Sequence, residues 1–261
     1  MSEDPNWELR SVCAIAVMAK ASIAGKTKTR LVPPLKEEEA ATLNTVFLRD
    51  AAENMLAAAE LANVSGWMAY APAGSEAFFK SHLPESIGLL ETVAPSLGEC
   101  LLRAASSLLR AGHGAVCLVN SDSPTLPIDY LVAAATALAE AGDRVVLGPS
   151  TDGGYYLIGM KRLHAGLFED IAWSTEQVLA QTLMRAKALG IPVVELPTWY
   201  DVDDAEALQV LVQELIDGKP FREVGSTPAR ATWTRRHISA LVEVSDLRRR
   251  LNGTRCPSLL P

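Results

Sequence analysis

The sequence predicts an α/β protein built on a mostly parallel central sheet. Short apolar runs of strand length alternate along the chain with longer stretches of helical periodicity. Polar, turn-forming clusters follow directly on several of those runs, where ligands of open α/β sheets are bound. The chain has 261 residues, 49% hydrophobic and 21% charged, enough to bury a large core in one domain.

Strands are predicted at 12–19 (VCAIAVMA), 67–71, 87–93, 115–120 (AVCLVN), 144–147, 155–160 and 191–196. Helices are predicted at 37–62, 98–111, 128–141, 174–189 and 203–216, with Ser174 or Thr175 capping the fourth. Pro124 stops the fourth strand. Past Gly218 arginines and lysines become frequent, and 238–251 reads as one amphipathic helix with a surface for pairing to a second copy. The expected organisation is an N-terminal extension (1–11), a main domain (12–217) and a basic C-terminal extension (218–261).

A net charge of −7 argues against nucleic acid as a partner. The first ten residues carry acids instead of a basic leader, and no apolar stretch reaches the roughly 20 residues a bilayer span requires, so a cytoplasmic protein without a membrane span is expected. Cys13, Cys100, Cys117 and Cys256 show no metal-ligand spacing and read as buried thiols.

Four clusters carry chemistry. The segment 20–30 places Lys20, Lys26, Lys28 and Arg30 around Gly25, with Thr27 and Thr29 between them, a cation-rich loop suited to a di- or triphosphate. A phosphate loop of the Walker type would need glycine where Lys20 stands. Asp122 follows the fourth strand and can hold Mg²⁺ or Mn²⁺, or cap a turn. Asp201 and Asp203 alternate in an extended segment and can converge on the same cation, with Asp204 left to the helix N-terminus. Asp152, Gly153 and Gly154 form a turn where backbone can approach a ligand, and Asp152 is the candidate base or acceptor contact. Trp173, Ser174 and Thr175 add a stacking surface and donors for a substrate.

Taken in order, the stretch from Lys20 to Leu31, NSDSP at 120–124, LGPSTDGGYYLIG at 147–159, WST at 173–175 and YDVD at 200–203 resemble one bacterial family. It is the group of glycosyltransferase-like, radical-SAM/selenodomain-associated transferases related to phospholactate and phosphoenolpyruvate guanylyltransferases. Ser22 and Ala24 replace its usual prolines, and Asn120 its usual glycine. The resemblance implies a GT-A-like nucleotide-diphospho-sugar transferase fold of three layers over 12–217. It puts Asp122, Asp201 and Asp203 on the metal-binding acids, and Lys20, Lys28 and Arg30 on the basic positions of the first motif. The expected reaction is metal-dependent glycosyl transfer from a nucleotide-sugar to a small-molecule acceptor. The alternatives are nucleotidyl transfer from a nucleoside triphosphate with release of pyrophosphate, and nucleotide binding without turnover.

Overall fold

The computed structural model describes residues 7–221 and 225–253. Seven strands form one sheet in the order β3-β2-β1-β4-β6-β5-β7. They are β1 Cys13–Lys20, β2 Val64–Ala71, β3 Gly88–Glu91, β4 Ala115–Val119, β5 Val145–Pro149, β6 Tyr155–Met160 and β7 Val193–Glu195. Only β6 runs antiparallel to its neighbours β4 and β5; the remaining pairs are parallel. The helices are α1 Glu37–Ala59, α2 Glu76–His82, α3 Leu97–Arg110, α4 Ile128–Ala139, α5 Val178–Ala188, α6 Ala205–Asp217, α7 Thr232–Val244 and α8 Leu247–Gly253.

Alternation along β1 sorts its side chains between two cores. Ile15 and Val17 pack into the larger one with α1, α4, α6 and α7, whereas Ala14 and Ala16 face the smaller one with α3. Small residues on that second face let α3 sit close over β1 and β4. The result is a three-layer sandwich whose strand ends open onto the polar loops.

Three local predictions are corrected. The fourth predicted helix begins at Val178, not Ser174, because Ser174 has φ 64, a left-handed conformation that a helix cannot contain. Its N-cap is Gln177, and the Thr175 hydroxyl instead donates to the carbonyl of Ala172. Helix α2 was not anticipated; only Phe79 of it is buried, too little to register as periodicity. The predicted tail helix is two helices broken at Asp246, which has φ 53.

Described residues past Gly218 pack onto the larger core. Ile238, Leu241, Leu247 and Leu251 join the larger core, so the apolar face expected to meet a second copy is covered by the chain itself. Asp50 of α1, 1% exposed, accepts from the backbone N–H groups of Trp233 (3.0 Å) and Thr234 (2.8 Å), capping α7 across the fold. Arg248 pairs with Asp217, and Arg250 with Glu39, so two arginines of the run Arg248, Arg249, Arg250 serve structure. Cys13 and Cys117 are buried thiols; Cys256 lies outside the described residues. No described helix is long and apolar enough to cross a membrane.

Asp50→Ala would strand two buried N–H groups, and the expected cost is about 1–3 kcal/mol in chemical denaturation. An unchanged midpoint would mean that α7 is not fastened there.

Candidate functional site

A cavity of about 370 Å³ opens at the ends of β1, β4 and β6. Its wall combines Asp122, Asp152, Asp201, Asp203 and Arg30 with Met18, Leu97, Leu101, Tyr155 and Trp173. Hydrogen bonds between distant segments assemble it. The Ser123 hydroxyl donates to the carbonyl of Tyr200 (2.8 Å), and Val202 N donates to the carbonyl of Asp122 (2.9 Å). Thr125 donates to the Tyr200 hydroxyl, which itself donates to Glu214 at 2.6 Å. These contacts lay 200–203 alongside 122–125. With Val202 fully buried, Asp201 and Asp203 both face the cavity.

Lys28 occupies the centre of this arrangement. Its Nζ lies 2.9 Å from Asp122 Oδ1 and 3.2 Å from Asp203 Oδ1, and donates to the Val202 carbonyl at 2.7 Å. The ammonium also sits 5.2 Å from the centroid of the buried Phe47 ring. Arg30 pairs with the other oxygen of Asp203. Burial pushes the Asp122 carboxyl up, but the Lys28 charge and the hydrogen bonds it receives hold it below its ordinary value. For Asp203, burial and the neighbouring Asp122 charge outweigh Lys28 and Arg30 and raise it. Asp201 accepts from the Ser150 hydroxyl at 2.7 Å, and burial, with the Asp152 and Asp203 charges, pushes it up to about 6.

Known proteins share this framework. Residues 54–175 match the model of a family described as an uncharacterized protein conserved in bacteria (DUF2064). The chain is similar to a proposed nucleotide-diphospho-sugar transferase from Desulfovibrio desulfuricans G20, with 26% identity over 92% of this chain and 98% of that one, at a TM-score of 0.75. The architecture is the GT-A-like nucleotide-diphospho-sugar transferase fold. A cytidylyltransferase from Leptospira borgpetersenii (12% identity, 90% and 95% coverage, TM-score 0.48) and a nucleotidyl transferase from Methanothermobacter (13%, 80% and 99%, 0.49) are too distant to bear on activity. No curated protein matches the chain.

The loop 20–30 behaves differently from expectation. Lys26 N and Thr27 N both donate to the Ile23 carbonyl at 3.0 Å, and Ile23 N donates to the Thr27 hydroxyl, so these groups close a turn on themselves. Gly25, at φ 72, permits that turn and packs beside Glu37. Lys20, Lys26 and Thr29 are exposed and absent from the cavity wall; Lys28 and Arg30 alone carry the loop's charge into the site.

Gly154, Trp173, Ser174 and Thr175 line the cavity, but Gly153 does not. At φ 87 it lies against the backbone of Glu176, where an added Cβ would stand 2.2 Å from a carbonyl oxygen. The space predicted for a ligand is therefore filled by the chain's own segment 173–178. Asp152 is exposed and accepts from Gly154 N at 2.8 Å.

The three predicted metal acids line one cavity without being gathered around one point. Ser150 holds Asp201 aside, and among the described residues no three acidic, histidine or cysteine side chains are grouped as a metal site. Asp122 and Asp203 do fit Mg²⁺ or Mn²⁺, which characteristically bind one or two carboxylates and complete their shell with water and substrate phosphates. Ser150, Glu176, Leu97 and Leu101 are site residues that sequence reasoning missed: the serine sits inside a turn read for its glycines, Leu101 reads as part of an ordinary apolar helix face, and Leu97 precedes the predicted helix.

Lys28→Met leaves two adjacent carboxylates without their shared cation, with an expected loss of about 1–3 kcal/mol that Asp203→Asn partly restores. Equal stability of Lys28→Met and wild type in urea would contradict this. For Asp201, whose pKa moves from 3.8 to about 6, the folded state holds a proton that the unfolded chain releases. Its contribution is therefore present below about pH 4 and lost as pH rises towards 6. In metal-free buffer Asp201→Asn is expected to raise the melting temperature at pH 7 and to have no stabilising effect at pH 3.5; the reverse order would refute the assigned environment.

Proposed function

We propose that the chain is a transferase acting on a nucleotide-activated donor, and that its reaction is Mg²⁺- or Mn²⁺-dependent glycosyl transfer to a small-molecule acceptor. The observation that carries this reading is the meeting of Asp122 and Asp203 around Lys28 at the mouth of a cavity at the strand ends. The similarity to a proposed nucleotide-diphospho-sugar transferase supports it, as does the sequence resemblance.

Charge explains the need for a divalent ion. A nucleoside diphosphate entering a wall with four aspartates, offset by Lys28 and Arg30 alone, would meet net repulsion. Bound to Asp122 and Asp203, Mg²⁺ or Mn²⁺ would neutralise charge on the leaving diphosphate. Arg30, with a largely exposed side chain, is free to swing from Asp203 to a phosphate, and Lys28 holds the two carboxylates together until the ion displaces it from their oxygens. An acceptor O–H or N–H then attacks the anomeric carbon as the bond to the diphosphate oxygen breaks and its electron pair leaves with the diphosphate. The acceptor's proton passes to a carboxylate on the wall, for which Asp152 is the candidate.

The test is product analysis with panels of nucleotide-sugars and nucleoside triphosphates in the presence of Mn²⁺. Release of nucleoside diphosphate is expected, with a loss on the order of 10²–10³ for Asp122→Ala. Pyrophosphate release from a triphosphate would replace this reading with nucleotidyl transfer, and unchanged turnover in Asp122→Ala would overturn the assignment of the site.

A further inference from the structure

The two ends of the cavity differ in charge. Arg30, Asp122 and Asp203 line one end, with the buried Lys28 behind them, so that positive and negative groups pair there. At the other end the turn at 150–156 and the segment 173–178 contribute Asp152 and Glu176, with Asp201 between, close enough to feel both Asp152 and Asp203. Among the described residues that line the cavity, Arg30 is the sole cation, and it already pairs with Asp203.

This acidic end also has an apolar surface. The Trp173 indole stacks on Phe168, with ring centroids 6.4 Å apart, and rests against Gly98 of α3. An added Cβ on Gly98 would come within 2.6 Å of the indole nitrogen, so glycine there is what allows the ring to lie on the helix. Leu97, Leu101 and Met18 extend the apolar wall. At the cavity floor the Asn120 Oδ1 is buried and accepts no hydrogen bond, an acceptor waiting for a donor.

We propose that this end takes an acceptor with a cationic or neutral donor group, an amine or a hydroxyl, carried on an apolar or aromatic body, and that it rejects phosphorylated acceptors. A phosphate would face Asp152, Glu176 and Asp201 without a cation to meet it, which is a repulsive arrangement. An ammonium would meet carboxylates, which attract it, beside the apolar surface that Trp173 presents to the cavity. The inference rests on the transferase reading and sharpens it, since nucleotidyl transfer to a phosphorylated acceptor would need the opposite charge at this end.

Benzylamine, benzyl alcohol and phenyl phosphate share one ring and differ in charge, so their binding to the full chain, followed by ligand-observed NMR, separates the contributions. At low salt benzylamine is expected to bind at least tenfold more tightly than phenyl phosphate, with benzyl alcohol between. The preference should shrink several-fold in about 0.5 M salt and in Glu176→Gln with Asp152→Asn. Trp173→Ala should weaken benzylamine and benzyl alcohol alike, and exposed Glu176→Gln, which alters no buried contact, guards against a folding defect. Phenyl phosphate binding as well as benzylamine, or no binding of benzylamine at all, overturns the inference. A melting-temperature response to nucleotides, measured in parallel, keeps the two readings apart. Nucleotide response without amine binding removes only this inference, and amine binding without nucleotide response removes the transferase reading instead.

Discussion

The site depends on one ammonium group. Lys28 Nζ is surrounded by two carboxylate oxygens and a backbone carbonyl drawn from two separate segments, beside the buried ring of Phe47. Asp122 and Asp203 would otherwise be adjacent like charges at the edge of a core, a destabilising arrangement. Lys28 itself has a left-handed backbone, φ 54, and its pairing with the two acids ties the first loop to the ends of two later motifs. Bringing a lysine rather than water between the acids also leaves the pair poised: a divalent ion arriving with phosphates would compete for the same oxygens.

The rest of the fold holds that contact in place. The antiparallel β6 returns the chain to β4, so the turn 150–154 meets the segment 199–201, joined by Thr151 N donating to the Trp199 carbonyl at 3.1 Å. On the opposite side Arg250 of α8 donates to the Pro34 carbonyl and pairs with Glu39, while Lys36 N donates to the same carboxylate. The C-terminal helices thus brace the chain just after the cation-bearing loop. Burial and the Arg250 charge act in opposition on Glu39, and its carboxyl ends below the ordinary value, as expected for a fastened ion pair.

Much of this was legible in the sequence because alternation and periodicity report burial, which the sheet and its helices obey. The strands at 13–20, 115–119 and 155–160 were marked by uninterrupted apolar runs, and Asp204 was readable as the cap of α6, whose Ala207 N it accepts at 2.8 Å. What could not be read was how polar groups share one another. Nothing in the spacing of Lys26 and Thr27 says that their N–H groups close a local turn, nor that Ser150 takes Asp201. The tail misled for a related reason: its frequent arginines and lysines read as a basic extension, but Asp217 and Glu39, far away in sequence, neutralise two of the arginines. Gly153 carries the same lesson, being small for the sake of the Glu176 backbone.

The central claim is that Asp122 and Asp203, released from Lys28, share one divalent ion with the phosphates of the donor. Electron paramagnetic resonance of Mn²⁺ titrated into the protein addresses it directly. The account predicts weak Mn²⁺ binding to the protein alone, clear strengthening when a nucleoside diphosphate is added, and loss of that strengthening in the Asp122→Asn, Asp203→Asn double variant. Mn²⁺ binding that is indifferent to the nucleotide, or that survives in the double variant, would contradict it.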